Sequence, residues 1–190
     1  MRVGLPSTVS PLLLAATCTI RCPCPPTLSV PDTLKFREGT LFDAPPIAAK
    51  LLSMKMNPLG VDPSRFLVAE SDGARIGFGQ IRPLGDTSDG SKPLWELASI
   101  YVEDDFRGKG IGSALVQRLL ERHTSQGRAL TDTFLLTLEP TVNWYEQFGF
   151  ERLPTSRVPK PMELEVKAGE ALSAVLGNKL VAMQGAESPQ

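Results

Sequence analysis

Residues 95–113 read WELASIYVEDDFRGKGIGS, an apolar strand running into a glycine-rich turn that opens a helix. Leu97, Ala98, Ile100, Tyr101 and Val102 predict the strand. Ile111, Leu115 and Leu119 recur at four-residue spacing and predict the helix, with Val116 and Leu120 widening its apolar stripe. Between the two stands Arg107-Gly108-Lys109-Gly110-Ile111-Gly112. A helix start leaves about four backbone N–H groups unpaired and carries roughly half a positive charge, so an anion satisfies both. The glycines let the backbone come close to a pyrophosphate, and Arg107 and Lys109 add charge at the rim. The competing reading is a plain strand-to-helix connection whose basic residues are merely solvated.

Two common phosphate motifs are disfavoured letter by letter. A Walker A loop ends in Gly-Lys-Ser/Thr, whereas Lys109 is followed by Gly110 and no such triplet occurs in the chain. A dinucleotide fingerprint needs G-x-G-x-x-G directly after its strand. Here the run is G-x-G-x-G, and Glu103-Asp104-Asp105 separates it from Val102.

What the turn does match is R-x-x-G-x-G between a strand and an amphipathic helix, which resembles the acetyl-CoA signature of the GNAT superfamily of N-acetyltransferases. The likeness continues through a strand at residues 133–138 to Trp144-Tyr145-Glu146-Gln147-Phe148-Gly149-Phe150, which is similar to the family's second signature, xYxxxGF. The resemblance spans residues 34–183, with the distinctive motifs confined to residues 95–150. It implies an α/β (α+β) domain with a mixed, mostly antiparallel central sheet flanked by helices. In that fold the strand ending at Val102 splays from the one ending at Leu138. The backbone of Ile100, Tyr101 and Val102 would then pair with pantetheine amides, and the pyrophosphate would lie over Arg107, Gly108, Lys109, Gly110, Ile111, Gly112 and Ser113. The resemblance also implies acetyl-CoA as cosubstrate, no metal, and a primary amine as acceptor, on a protein N-terminus, a lysine or a small molecule.

Acyl transfer to an amine needs the amine neutral and the departing thiolate protonated. Neutralising a lysine at pH 7 costs roughly 4–5 kcal/mol, an α-amine only about 1 kcal/mol. Glu96 stands where many family members hold a glutamate base, its alternative being a surface strand carboxylate or a salt-bridge partner, with Glu139 and Glu103 as weaker candidates. Tyr145 matches the family's general acid, its alternative being an aromatic packed on the sheet. One departure is Leu138, where family members often carry an asparagine that contacts the cofactor; Asn143 sits elsewhere.

A chain of 190 residues with 42% hydrophobic content can bury one core. Its formal net charge of −1 disfavours nucleic acid as a partner. Residues 1–33 form an expected leader, residues 34–185 the acetyltransferase domain and residues 186–190 a tail. The first thirty-one residues carry Arg2 and Arg21 as their only charges and are rich in Ser, Thr and Pro. That composition fits an organellar transit peptide, plastid before mitochondrion, better than a secretory signal; a disordered cytoplasmic tail is the alternative. Cys18, Cys22 and Cys24 all fall inside it, so the mature domain would hold no disulfide, thiol nucleophile or thiolate metal site. No apolar span reaches membrane length, and the domain reads as soluble.

Elsewhere the pattern predicts a strand at residues 34–38, a helix at 47–56, a hairpin about Asp72-Gly73, and a helix at 109–125 stopped by Gly127. A shorter helix opens at Pro140. Strands at 162–166 and 179–183 would close the sheet around a helical piece at 170–176. His123, near a helix end, is expected to face solvent. The alternative function is a CoA-binding regulatory or interaction module with a vestigial site, and a third reading is a nucleotide binder of another fold.

Overall fold

Asp72 and Gly73 take left-handed backbone conformations, with φ of 52° and 76°, and so fold β2 (Phe66–Ser71) tightly back into β3 (Ala74–Asp86). The computed structural model describes residues 33–54, 61–164, 166–167 and 179–186. The expected leader with its cysteines, and the piece at 170–176, lie outside the described residues. β1 (Lys35–Glu38) pairs antiparallel with β2, and β4 (Pro93–Val102) antiparallel with β3. Then come α2 (Ile111–Ser125), β5 (Thr133–Leu138), α3 (Val142–Glu146), β6 (Phe150–Arg152) and β7 (Leu180–Gly185), while α1 (Ala44–Ser53) links β1 to β2. The sheet runs β1-β2-β3-β4-β5-β7-β6, and only its β4–β5 contact is parallel. This is the expected mixed, mostly antiparallel sheet with flanking helices.

α2 covers one face. Its Ile111, Leu115, Val116 and Leu119 are buried against Ile81, Leu97 and Leu135 of the sheet, each burial stabilising by roughly 1.5–3 kcal/mol. Gly79 permits that approach, because a Cβ there would lie 2.5 Å from Ile100 Cδ1 and 3.0 Å from Leu119 Cδ1. On the other face Ile47 and Leu51 of α1 pack on Phe66, Phe78 and Tyr101. α1 begins at Ala44, earlier than its apolar spacing predicts, because Pro45 and Pro46 fit a first turn. Buried Asp43 ties its start to β1 and β3 through Arg37 and Arg75, at 2.7 and 3.3 Å. The hydrogen-bonded Arg37 guanidinium holds the Asp43 carboxyl well below the usual carboxylate range.

Two expectations need correction. Residues 160–164 and 166–167 are helical, where a strand was expected at 162–166. Met162 and Val166, four apart, are both buried in one cluster with Leu94, Phe134 and Leu153, so the helical period decides. His123 does not face solvent: it is 2% exposed, its ring 5.3 Å from that of Trp95 and its Nε2 3.1 Å from Thr133 Oγ1.

Burial, and then the nearby Arg128 and Arg122, push the His123 imidazole down to about 4, with Asp132 opposing. The unfolded chain therefore binds the extra proton first as pH falls from 6.5 to 4. Stability from neutral His123 is complete above pH 6.5 and is lost toward pH 4, with a slope approaching about 1.4 kcal/mol per pH unit. Urea unfolding between pH 7 and 5 should show this slope in the wild type and a flattened one in His123→Leu.

Candidate active site

The site begins with an irregularity in β4. Phe78 faces Tyr101 and Gln80 faces Ala98, so β4 carries one residue more than β3 across that stretch. Ser99 absorbs the excess with φ of 58°, a left-handed conformation that costs a non-glycine residue roughly 1–2 kcal/mol. Its Oγ lies 3.3 Å from Gln80 Nε2. Pairing between β4 and β5 stops just before this bulge, at Trp95 with Thr133 and Glu96 with Phe134. Beyond it the two strands diverge around a cavity of about 900 Å³.

One wall of the cavity is β4 beyond the bulge, through Ile100 and Val102. The turn supplies Arg107, Gly108, Gly110 and the first residues of α2, namely Ile111, Gly112 and Ser113. Gly108 and Gly110 have φ of 72° and 79°, and Gly110 caps α2. The Ala114 N–H donates to the Gly110 carbonyl at 3.0 Å, so the N–H groups of Ile111, Gly112 and Ser113 precede the first helical bond and point outward from the helix end. Arg107 is held at the rim: its Nε donates to the Val102 carbonyl at 3.0 Å, and it pairs with Asp104 at 2.8 Å.

The opposite wall contains Leu136, Thr137 and Leu138 of β5 with Thr141, Trp144 and Tyr145. Tyr145 stacks edge-on against Trp144 at 4.7 Å and Phe150 at 6.4 Å. Burial pushes its phenol up to about 12, so the hydroxyl keeps its proton at any ordinary pH. Among the described residues that hydroxyl makes no hydrogen bond.

The side chains of three expected site residues do not line this cavity, although the Tyr101 expectation concerned its backbone. Lys109 does not line it, and its ammonium lies 5.0 Å from the Phe106 ring. The Tyr101 side chain points to the α1 face, where its hydroxyl donates to Glu103 Oε2 at 2.6 Å beside Lys50 at 3.2 Å. Glu96 is 4% exposed and does not line the cavity; Arg82 Nε donates to its Oε2 at 2.7 Å. The weaker carboxylate candidates are engaged as well. Hydrogen bonds from Tyr101 and Lys50 hold Glu103 below its usual range, and Arg152, at 2.6 Å, does the same to Glu139.

The sequence reading missed Thr137 and Thr141, whose hydroxyls meet at 2.6 Å while Thr141 donates to the Leu138 carbonyl at 2.8 Å. They place polar groups beside Leu138, where an asparagine was expected. No motif marks them, since they meet only because β5 turns directly into α3.

The profile of the acetyltransferase (GNAT) domain matches residues 62–152, a stretch that includes the bulge, the glycine turn and Tyr145. Residues 62–152 carry the GNAT acetyltransferase domain. Among curated relatives, an uncharacterised N-acetyltransferase of Methanocaldococcus jannaschii is 29% identical over 91 residues, 47% of this chain and 40% of its own length. An amino-acid acetyltransferase of Azotobacter vinelandii is 30% identical over 137 residues, 65% of this chain and 30% of its own. This chain thus spans two fifths or less of the length of these relatives. The fold is also similar to that of about a third of N-acetylglutamate synthase from Neisseria gonorrhoeae, solved with coenzyme A and L-arginine (TM-score 0.59, 17% identity, 82% of this chain and 34% of that one). A Mycobacterium tuberculosis protein solved with CoA gives a TM-score of 0.58 at 21% identity, over 79% of this chain and 98% of that one.

Proposed function

We propose that the splay between β4 and β5 is an acetyl-CoA groove and that the chain transfers acetyl to the α-amine of an amino acid or a similar small amine. One observation carries the reading: a single cavity is lined both by the first residues of α2, whose N–H groups are unclaimed among the described residues, and by Tyr145. The pyrophosphate takes the helix N-terminus, and Arg107 adds charge at the rim. The pantetheine arm lies along the unpaired edge of β4 beyond Ser99, adding to it as a strand would. The neutral amine nitrogen attacks the thioester carbonyl and the C–S bond breaks; the leaving sulfur takes a proton from Tyr145, the new amide nitrogen gives up its extra proton to solvent, and Tyr145 regains one from solvent.

Several facts favour an α-amine. Glu96 is committed to Arg82, and Glu103 and Glu139 to their own partners, so a site short of a strong base suits an acceptor needing about 1 kcal/mol rather than 4–5. Matching relatives named amino-acid acetyltransferases support the same class. Mass spectrometry of products from acetyl-CoA with free amino acids, peptides bearing a free N-terminus, and α-blocked lysine should show acetylated α-amines. Acetylation of the α-blocked lysine alone would overturn the acceptor class. CoA-induced thermal stabilisation without any product would make the chain a binding module. Organellar import belongs to the same proposal on leader composition, and a fluorescent fusion of residues 1–33 that stayed in the cytosol would contradict it.

A further inference from the structure

At the other end of α2 lies a second cavity, of about 280 Å³, that the acetyl-transfer reading does not use. By helix rise, His123 in its wall is about 18 Å from Ile111 at the glycine turn. Three arginines meet there: Arg65 from the turn before β2, Arg122 from α2 and Arg128 from the loop after it. Ser64, Gln126 and Trp95 contribute further wall.

The charge in this cavity is poorly balanced. Arg65 pairs with the partly exposed Asp62 at 3.1 Å. Arg122 donates to the Arg65 carbonyl at 2.6 Å and reaches Glu38, the one acid in the wall, only at 3.9 Å. Arg128 has no carboxylate partner among the described residues; its guanidinium stacks on the Trp95 ring at 3.8 Å. His123, almost wholly buried, has Nδ1 without a hydrogen-bond partner among the described residues.

We propose that this cavity binds a small organic acid through its carboxylate, as a site separate from the acetyl-CoA groove. Arginine forks match a carboxylate bidentately, and Arg128, already held over the Trp95 ring, is ordered at little further entropic cost. A bare inorganic oxyanion would satisfy the arginines but leave the Trp95 side of the cavity unfilled; a short carbon chain fills it. Occupation would also neutralise the unpaired Arg128.

Trp95 reports on the site directly. In a Trp144→Phe background it is the remaining tryptophan of the chain. Titrating that protein with malonate or succinate at constant ionic strength should change its fluorescence saturably, and inorganic phosphate should do so at least about tenfold more weakly. Arg128→Ala should weaken the organic acids at least about tenfold, and Arg128→Lys, which keeps the charge but loses the fork, should fall between. Thermal unfolding confirms that each variant is folded, and CoA affinity read separately should be unchanged by Arg128→Lys. No saturable response to either diacid, equal response in Arg128→Ala, or equal response to phosphate would each overturn the proposal.

Discussion

Tyr145→Phe is expected to lower kcat roughly 10- to 100-fold while leaving acetyl-CoA affinity nearly unchanged. The ring keeps its edge-on contacts with Trp144 and Phe150, so the substitution removes only the hydroxyl of a residue that lines the cavity. The phenol at about 12 is a weak acid beside a CoA thiol near 8.5, and complete transfer would be uphill by about 5 kcal/mol against a solvated thiolate. The thiolate leaves into the same apolar surroundings, which raise its proton affinity too, so the gap narrows where the proton moves. A second consequence follows for pH. Because burial holds the Tyr145 proton, a kcat profile should show no alkaline fall assignable to this group below about pH 11. Unchanged turnover in Tyr145→Phe would remove the residue from the chemistry.

Gly110→Ala should cost roughly 1–2 kcal/mol, the strain that a Cβ adds in the left-handed region, appearing either as lost stability or as acetyl-CoA binding weakened roughly 5- to 30-fold. Gly110 caps α2 with φ of 79°, and the orientation of the N–H groups that follow it depends on that conformation. The variant either keeps the turn and bears the strain, lowering stability, or relaxes it and misaligns the anion site. Calorimetric titration with acetyl-CoA beside thermal unfolding separates the two. A variant with native affinity and native stability would show that the turn does not hold the pyrophosphate.

Much of this site was legible in the sequence, and the parts that were not have definite physical reasons. The glycine turn and Tyr145 could be read because anion binding at a helix start and a phenol at a fixed place after a strand both leave motifs. Ser99 could not, since serine carries no sign of a left-handed conformation. The divergence of β4 from β5 was therefore expected from resemblance alone. His123 was misread although its position was informative: it continues the spacing of Ile111, Leu115 and Leu119, and so belongs on the buried stripe. Being near a helix end was given more weight than the period. Glu96 illustrates the limit of reading one strand at a time, because the register that brings Arg82 opposite it is a property of the β3–β4 pair.

Amide NMR of the isotopically labelled chain titrated with acetyl-CoA tests the central claim most directly, since every backbone N–H assigned to the groove reports for itself. The largest shifts should fall on residues 107–113 and on β4 beyond Ser99, with the same set responding to CoA and little or no response to NAD or ATP. Shifts confined to other parts of the sheet, or an equal response at the glycine turn to NAD or ATP, would contradict it.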